Sequence, residues 1–205
     1  MGEVWLAVAS GPGNFEKRVV IKTVLPELSE KPGYVDMLVN EASLAARLNH
    51  PNIIQVFDLG CIDGIYFIAM EYLPGKTLAQ ILKRTVPQTP EWMALSVMAA
   101  CCDGLHYAHE LCDDSGKPLG LLHRDISPGN IMVTFTGRVA VLDFGIAVAN
   151  RGEQTMSGTL KGKYHYMAPE RIAGEPADRK SDVYSLGVIL YLLLTGARPF
   201  AADGE

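Results

Sequence analysis

Over the first third of the chain, apolar residues alternate with polar ones in short runs. Residues 4–9, 18–24, 53–59 and 65–71 are rich in β-branched and aromatic side chains, and Gly11-Pro12-Gly13 and Asp63-Gly64 punctuate them, which predicts strands joined as hairpins. One stretch breaks this rhythm: in residues 34–48 the apolar positions Leu38, Ala42, Ala45 and Leu48 fall on one helical face, and Asn49-His50-Pro51-Asn52 ends the segment. The middle of the chain changes to helical spacing. Residues 77–83 read as a short helix and residues 92–111 as a long one, with Met93, Val97, Ala100, Leu105 and Ala108 as its inward positions. Asp113 to Pro118 is a turn by composition, residues 131–134 and 139–142 are strand-like around Gly137, and residues 182–194 form a strongly apolar helix. Strands around one helix, followed by mostly helices, predict an α+β protein of two unequal lobes joined near residues 71–75.

Composition narrows the class. A chain of 205 residues with 48% hydrophobic and 20% charged residues is long enough for a substantial core and too apolar for a disordered or collagen-like polypeptide. The formal charge of -5 argues against a nucleic-acid binder that works by bulk counterion release. The longest apolar run, residues 186–194, is far shorter than the roughly 20 residues that span a bilayer, so no membrane segment is expected. Met1-Gly2-Glu3 opens with neither a basic nor an apolar region, unlike a signal peptide. The cysteines Cys61, Cys101, Cys102 and Cys112 lack disulfide-framework or zinc spacing, which fits a reducing cytoplasm.

Three segments carry chemistry together: His123-Arg124-Asp125-Ile126-Ser127-Pro128-Gly129-Asn130, then Asp143-Phe144-Gly145, then Ala168-Pro169-Glu170. With the strand Arg18-Val19-Val20-Ile21-Lys22 upstream, their order and spacing resemble the eukaryotic-like protein kinases, over essentially the whole chain. The resemblance implies a two-lobed kinase fold: a small β-rich N-lobe with one helix over residues 1–71, a hinge at 72–75, a larger, mainly helical C-lobe over 76–205, and an activation segment over 143–170. It also implies a protein serine/threonine kinase that uses ATP and Mg²⁺ to phosphorylate protein Ser/Thr hydroxyls in signal transduction, with autophosphorylation in trans.

Residue by residue, the resemblance implies that Lys22 contacts the α- and β-phosphates and that Glu41, nineteen residues later, is its ion-pair partner. Asp125 resembles the catalytic aspartate that accepts or orients the substrate hydroxyl proton, while Asn130 and Asp143 resemble the Mg²⁺ ligands, whose oxygens suit a hard cation. Gly2 and Val4 belong to the phosphate loop. By the same resemblance Val4 and Val20 would cover the adenine, Met132 would lie beneath it, and Met70-Glu71-Tyr72-Leu73 would form the hinge, with backbone groups of Glu71 and Leu73 binding the base. The resemblance also makes Thr159 the candidate activating phosphosite, with Thr155 and Ser157 as alternates and Arg124 as the expected partner for the phosphate.

The chain also departs from the family pattern. Ser127 replaces the usual catalytic-loop lysine and Lys163 the usual threonine seven residues before Glu170, so Lys163 is expected to supply the missing ammonium, with Ser127 as its small partner. These substitutions, the insert at residues 113–120 and Leu160-Lys161-Gly162-Lys163 resemble a bacterial branch of the Ser/Thr kinases, especially those of gliding, multicellular soil bacteria. Of the glycine-rich loop only Gly2-Glu3-Val4 remains, and thirty-five residues follow Glu170, so the kinase domain is expected to be incomplete at both ends, with Glu170 left unpaired, the last helix poorly covered and any membrane attachment carried by flanking regions. The other readings are an inactive fragment or pseudokinase-type binding module and a tyrosine or small-molecule kinase. Retention of Lys22, Asp125 and Asp143 speaks against the pseudokinase, and an activation segment ending in Ala-Pro-Glu speaks for a protein substrate.

Overall fold

The computed structural model describes residues 2–85, 89–144 and 164–200. By internal contacts the chain divides into two units, one of residues 1–50 and 54–74, the other of residues 51–53 and 75–205.

The first unit is an antiparallel sheet with helices against it. Strands β1 (Val4–Gly11), β2 (Phe15–Thr23), β3 (Val56–Ile62) and β4 (Ile65–Glu71) lie in the order β1-β2-β4-β3. Asp63 and Gly64, both at positive φ (51° and 79°), connect β3 to β4 as a two-residue turn whose twist matches the strands it joins. Two helices precede β3: a single turn, α1 (Pro26–Ser29), which the alternation does not reveal, and α2 (Tyr34–Ala46). Helix α2 packs on β3, and its predicted face of Leu38, Ala42 and Ala45, continued by Leu48, is buried with Val56, Ile68 and Met70. Strand β1 is different. Val4, Trp5, Leu6 and Val8 are all more than half exposed, so its alternation marks strand pairing rather than a core face.

The start of β3 is a correction. A strand from residue 53 is expected from its apolar run, yet pairing begins at Val56, and Ile53 instead bridges Val141 of the second unit. The reason lies in Asn52. Its carbonyl accepts the Val141 N–H (2.8 Å) and its side-chain amide donates to the Val139 carbonyl (2.8 Å), which commits residues 51–53 to the second unit.

The second unit contains a small sheet, β5 (Gly75–Thr77), β6 (Ile131–Thr134) and β7 (Val139–Val141), and the helices α3 (Leu78–Thr85), α4 (Glu91–His109), α5 (Pro169–Ile172) and α6 (Arg179–Thr195). The three-residue β5 is invisible to periodicity, and pairing with β6 creates it. Thr77 starts α3 with a reciprocal cap: its Oγ1 accepts the Gln80 N–H while Gln80 Oε1 accepts the Thr77 N–H. On α4 the buried stripe is Ala94, Val97, Met98, Cys101, Gly104, Leu105 and Ala108, so the seam includes Ala94 where Met93 is expected and Cys101 where Ala100 is expected. Helix α6 begins before the expected residue 182, at a capping box of Asp178 and Ser181, and ends at Gly196 with φ 72°. It packs on α4, buries Leu186, Val188, Ile189 and Leu193 and leaves Val183, Tyr191 and Leu194 exposed.

Candidate active site

In the second unit the loop from His123 to Asn130 is held by a buried carboxylate on α6. Asp182 Oδ2 accepts the backbone N–H of His123 (2.9 Å) and the Nε2 of His109 from α4 (2.9 Å), and its Oδ1 accepts the backbone N–H of Arg124 (2.8 Å). Burial pushes the Asp182 carboxyl upward, but the hydrogen bond from His109, the proximity of His123 and the two backbone N–H groups outweigh it, and the group sits below the ordinary carboxylate value. The carboxylate is therefore charged at neutral pH. Its three donors satisfy a charge that would otherwise be costly to bury.

His123 is fully buried, and two backbone groups set its tautomer. Nε2 lies 2.7 Å from the Leu142 carbonyl, which can only accept, so Nε2 carries the proton, and Nδ1 accepts the Asp125 N–H at 3.1 Å. Burial lowers its pKa, although Asp182, the Leu142 carbonyl, Asp125 and Asp143 pull the other way. The neutral ring lies 4.8 Å, centroid to centroid, from Phe144, so it joins the loop to the segment that carries Asp143.

Asn130 completes the arrangement. Its side-chain Nδ2 donates to both the carbonyl (2.8 Å) and the Oδ2 (3.1 Å) of Asp125, while its own carbonyl accepts the Leu142 N–H (2.9 Å). The amide nitrogen is thereby spent on Asp125, and the amide oxygen is the atom that remains for a cation. Arg124 and Asp143 both adopt left-handed backbone conformations, with φ of 64° and 56°. Outside turns, non-glycine residues seldom hold such conformations unless their surroundings fix them, and such residues cluster at functional sites. Arg124 meets that condition twice, through the N–H bond to Asp182 and through its carbonyl, which accepts from Arg171 of α5.

Donor chemistry suits a divalent cation. One amide oxygen and one carboxylate are hard ligands, and among the described residues no group of three His, Cys, Asp or Glu forms a dedicated metal cage. A Mg²⁺ held by Asn130 and Asp143 would take its other ligands from water and phosphate.

Ser127 is buried and starts the 3-10 turn of Pro128–Asn130, its carbonyl accepting the Asn130 N–H. Lys163, Thr155, Ser157, Thr159 and Gly145 lie outside the described residues. Glu170 accepts a hydrogen bond at Oε1 from Ser181 Oγ (2.5 Å), a neutral partner in place of the ion pair that the family pattern gives it.

The first unit carries the remaining candidates. Lys22 lies on β2 opposite Val4 and Ile68, and Val20 lies opposite Leu6 and Met70. Gly2 passes so close to the Thr23 carbonyl that a Cβ would collide with backbone, and Thr23 further clasps Glu3 through N–H and hydroxyl bonds. Glu41 is half-buried on α2, two turns from Tyr34, whose hydroxyl is pushed up by burial and then by the Glu41 charge. Lys22 and Glu41 are each engaged in polar interactions. Met70 and Leu73 are buried, and the Glu71 N–H is given to the Gln55 carbonyl. Met132 belongs to the second unit, on β6 between Thr77 and Ala140.

His109 and Arg171 join the site from distant segments that no motif marks. His109 precedes Asp182 by 73 residues and Arg171 follows Arg124 by 47, and neither spacing has a local signal.

The family model "protein kinase domain" matches residues 1–205. The tyrosine-protein kinase MasK of Myxococcus xanthus is 46% identical over 209 residues, covering 100% of this chain and 32% of that protein. The serine/threonine-protein kinase PknB of Mycobacterium tuberculosis is 38% identical over 192 residues, covering 90% of this chain and 29% of that protein. The chain thus spans about a third of these relatives (32% and 29%). The crystal structure of the Mycobacterium tuberculosis PknI kinase domain superposes with a TM-score of 0.74 at 33% identity, over 98% of this chain and 71% of that one. With a family model matched from end to end, the chain belongs to the protein kinase domain family.

Proposed function

We propose that the chain transfers the γ-phosphoryl group of ATP to a serine or threonine hydroxyl of a protein substrate. The observation that carries this reading is the Asn130 amide clamped on the carbonyl and carboxylate of Asp125, which fixes a carboxylate beside a cation ligand. In the proposed step the substrate hydroxyl oxygen attacks the γ-phosphorus in line, its proton passes to Asp125, and the bond from the γ-phosphorus to the β,γ-bridging oxygen breaks to release ADP. Lys22 pairs with the α- and β-phosphates and Glu41 positions that lysine. Any adenine contact by Glu71 goes through its carbonyl, since its N–H is already given to Gln55. Mg²⁺ held by Asn130 and Asp143 would neutralise charge on the phosphates.

Serine/threonine specificity is supported by the PknB relative and by Tyr166-Met167 before Ala168-Pro169-Glu170. Tyrosine specificity is the second reading, favoured by the name of the MasK relative and by Ser127 in place of the catalytic-loop lysine. Among the described residues no helix is long and apolar enough to cross a membrane. The test is transfer of labelled phosphate from ATP to the chain itself and to a basic protein, followed by phosphoamino-acid analysis. Phosphoserine or phosphothreonine, lost with Asp125→Asn, supports the proposal. Phosphotyrosine alone selects the second reading, and transfer that survives Asp125→Asn overturns the assigned chemistry.

A further inference from the structure

We propose that the outer face of β5 and α3 is a docking site for an acidic segment of the protein substrate, a reading that rests on the kinase function proposed above. A cavity of about 400 Å³ is lined by Lys76, Gln80, Ile81, Lys83, Arg84 and Thr85. No aspartate or glutamate occurs from Gly75 to Thr85, although the chain as a whole carries a charge of -5. Lys76, Lys83 and Arg84 are exposed, and among the described residues none of them is held in an ion pair or hydrogen bond through its side chain.

Helix electrostatics explain only part of this cluster. Lys83 and Arg84 near the C-terminus of α3 complement its dipole, but Lys76 precedes the helix, where the dipole disfavours a cation. What the three share is spacing. Positions 76, 80, 83 and 84 fall on one side and extend over roughly 12–15 Å, about the length of four residues of extended peptide. The helix that carries this face is also near the chemistry: α3 packs against the turn Pro128–Asn130, which carries Asn130 and follows Asp125 by three residues. A peptide is favoured over a nucleic acid because the lining has no aromatic residue on which a base would stack.

Binding is measured first, by fluorescence anisotropy of a labelled peptide with one serine flanked by roughly four glutamates, against the same peptide with glutamines in their place. Lys76→Gln, Lys83→Gln and Arg84→Gln are combined in one variant, since glutamine keeps the helix propensity of lysine and arginine. The acidic peptide is expected to bind roughly tenfold more weakly to the variant, the sum of three exposed ion pairs, and its salt dependence should flatten. The glutamine peptide should bind both proteins equally. Equal binding of the two peptides by the wild type overturns the proposal, as does a single-stranded oligonucleotide of the same charge that binds as tightly. Phosphorylation separates this inference from the function it rests on: transfer to both peptides with equal KM sinks the docking site alone. Charge-dependent binding without transfer to either peptide sinks the kinase reading alone.

Discussion

Asp182 holds Arg124 in a left-handed backbone conformation: its Oδ1 takes the Arg124 N–H at 2.8 Å while that residue sits at φ 64°. The same carboxylate receives His123 and His109, so one buried charge sets the loop that carries Asp125 against two helices. Asp182→Asn replaces an acceptor by an N–H that faces existing donors. The expected cost is about 2–4 kcal/mol of unfolding free energy in urea, from charge-assisted bonds lost and a donor left unpaired. Rescue of full stability by asparagine would show that the charge is irrelevant.

Two groups give stability the same pH dependence. The folded-state pKa of His123 lies below its ordinary 6.5, so its contribution is full above that value and falls as the pH drops toward the depressed pKa, because the unfolded chain takes the proton first. The folded-state value of Asp182 lies below the ordinary 3.8, so its contribution disappears in a second, more acid window beneath that value. Unfolding free energy should therefore decline by up to about 1.4 kcal/mol per pH unit below 6.5. In His123→Asn, which keeps one donor and one acceptor without a titrating ring, the first decline should be absent when ΔG is measured by denaturant titration from pH 7 to pH 5.

Asp125→Asn tests proton transfer. An amide in its place cannot accept the hydroxyl proton, and kcat is expected to fall about 10²–10⁴-fold, the usual contribution of a general base, with KM for ATP little changed. A variant with near-normal kcat would remove Asp125 from the chemistry.

Ser127 and Lys163 are best tested as a pair. If Lys163 supplies the ammonium that Ser127 lacks, then Ser127→Lys alone brings two like charges together at a buried position, and Lys163→Thr alone leaves none. Each single change should reduce kcat/KM more than the double change does. Strictly additive effects in this cycle would show that the residues do not act on one another.

Gly104→Ala sets helix propensity against packing. Alanine in a helix interior is favoured over glycine by about 1 kcal/mol, but here its Cβ would lie 2.9 Å from the Asn52 carbonyl, a backbone atom tied in place through Val141. Net destabilisation of about 1–3 kcal/mol is expected, read as a lower midpoint in thermal or urea unfolding. A stabilised variant would show that residues 51–53 yield.

Local pattern determined much of this protein. Periodicity placed the buried face of α2, the Asp63-Gly64 turn and β6, because a helix face, a two-residue turn and a half-buried strand each write their geometry into a few neighbouring residues. The motif residues Asp125, Asn130 and Asp143 were legible for a similar reason, since the chemistry they resemble requires those residue types at that spacing. Only the tertiary structure decided what joins distant segments. Ile53 left its strand for Val141, Gly75–Thr77 became a strand only through β6, Ser181 supplied a partner for Glu170, and His109 and Arg171 entered the site. Each follows from a buried polar group or backbone edge that must find a partner wherever the fold places one, and the sequence distance to that partner carries no periodic signal.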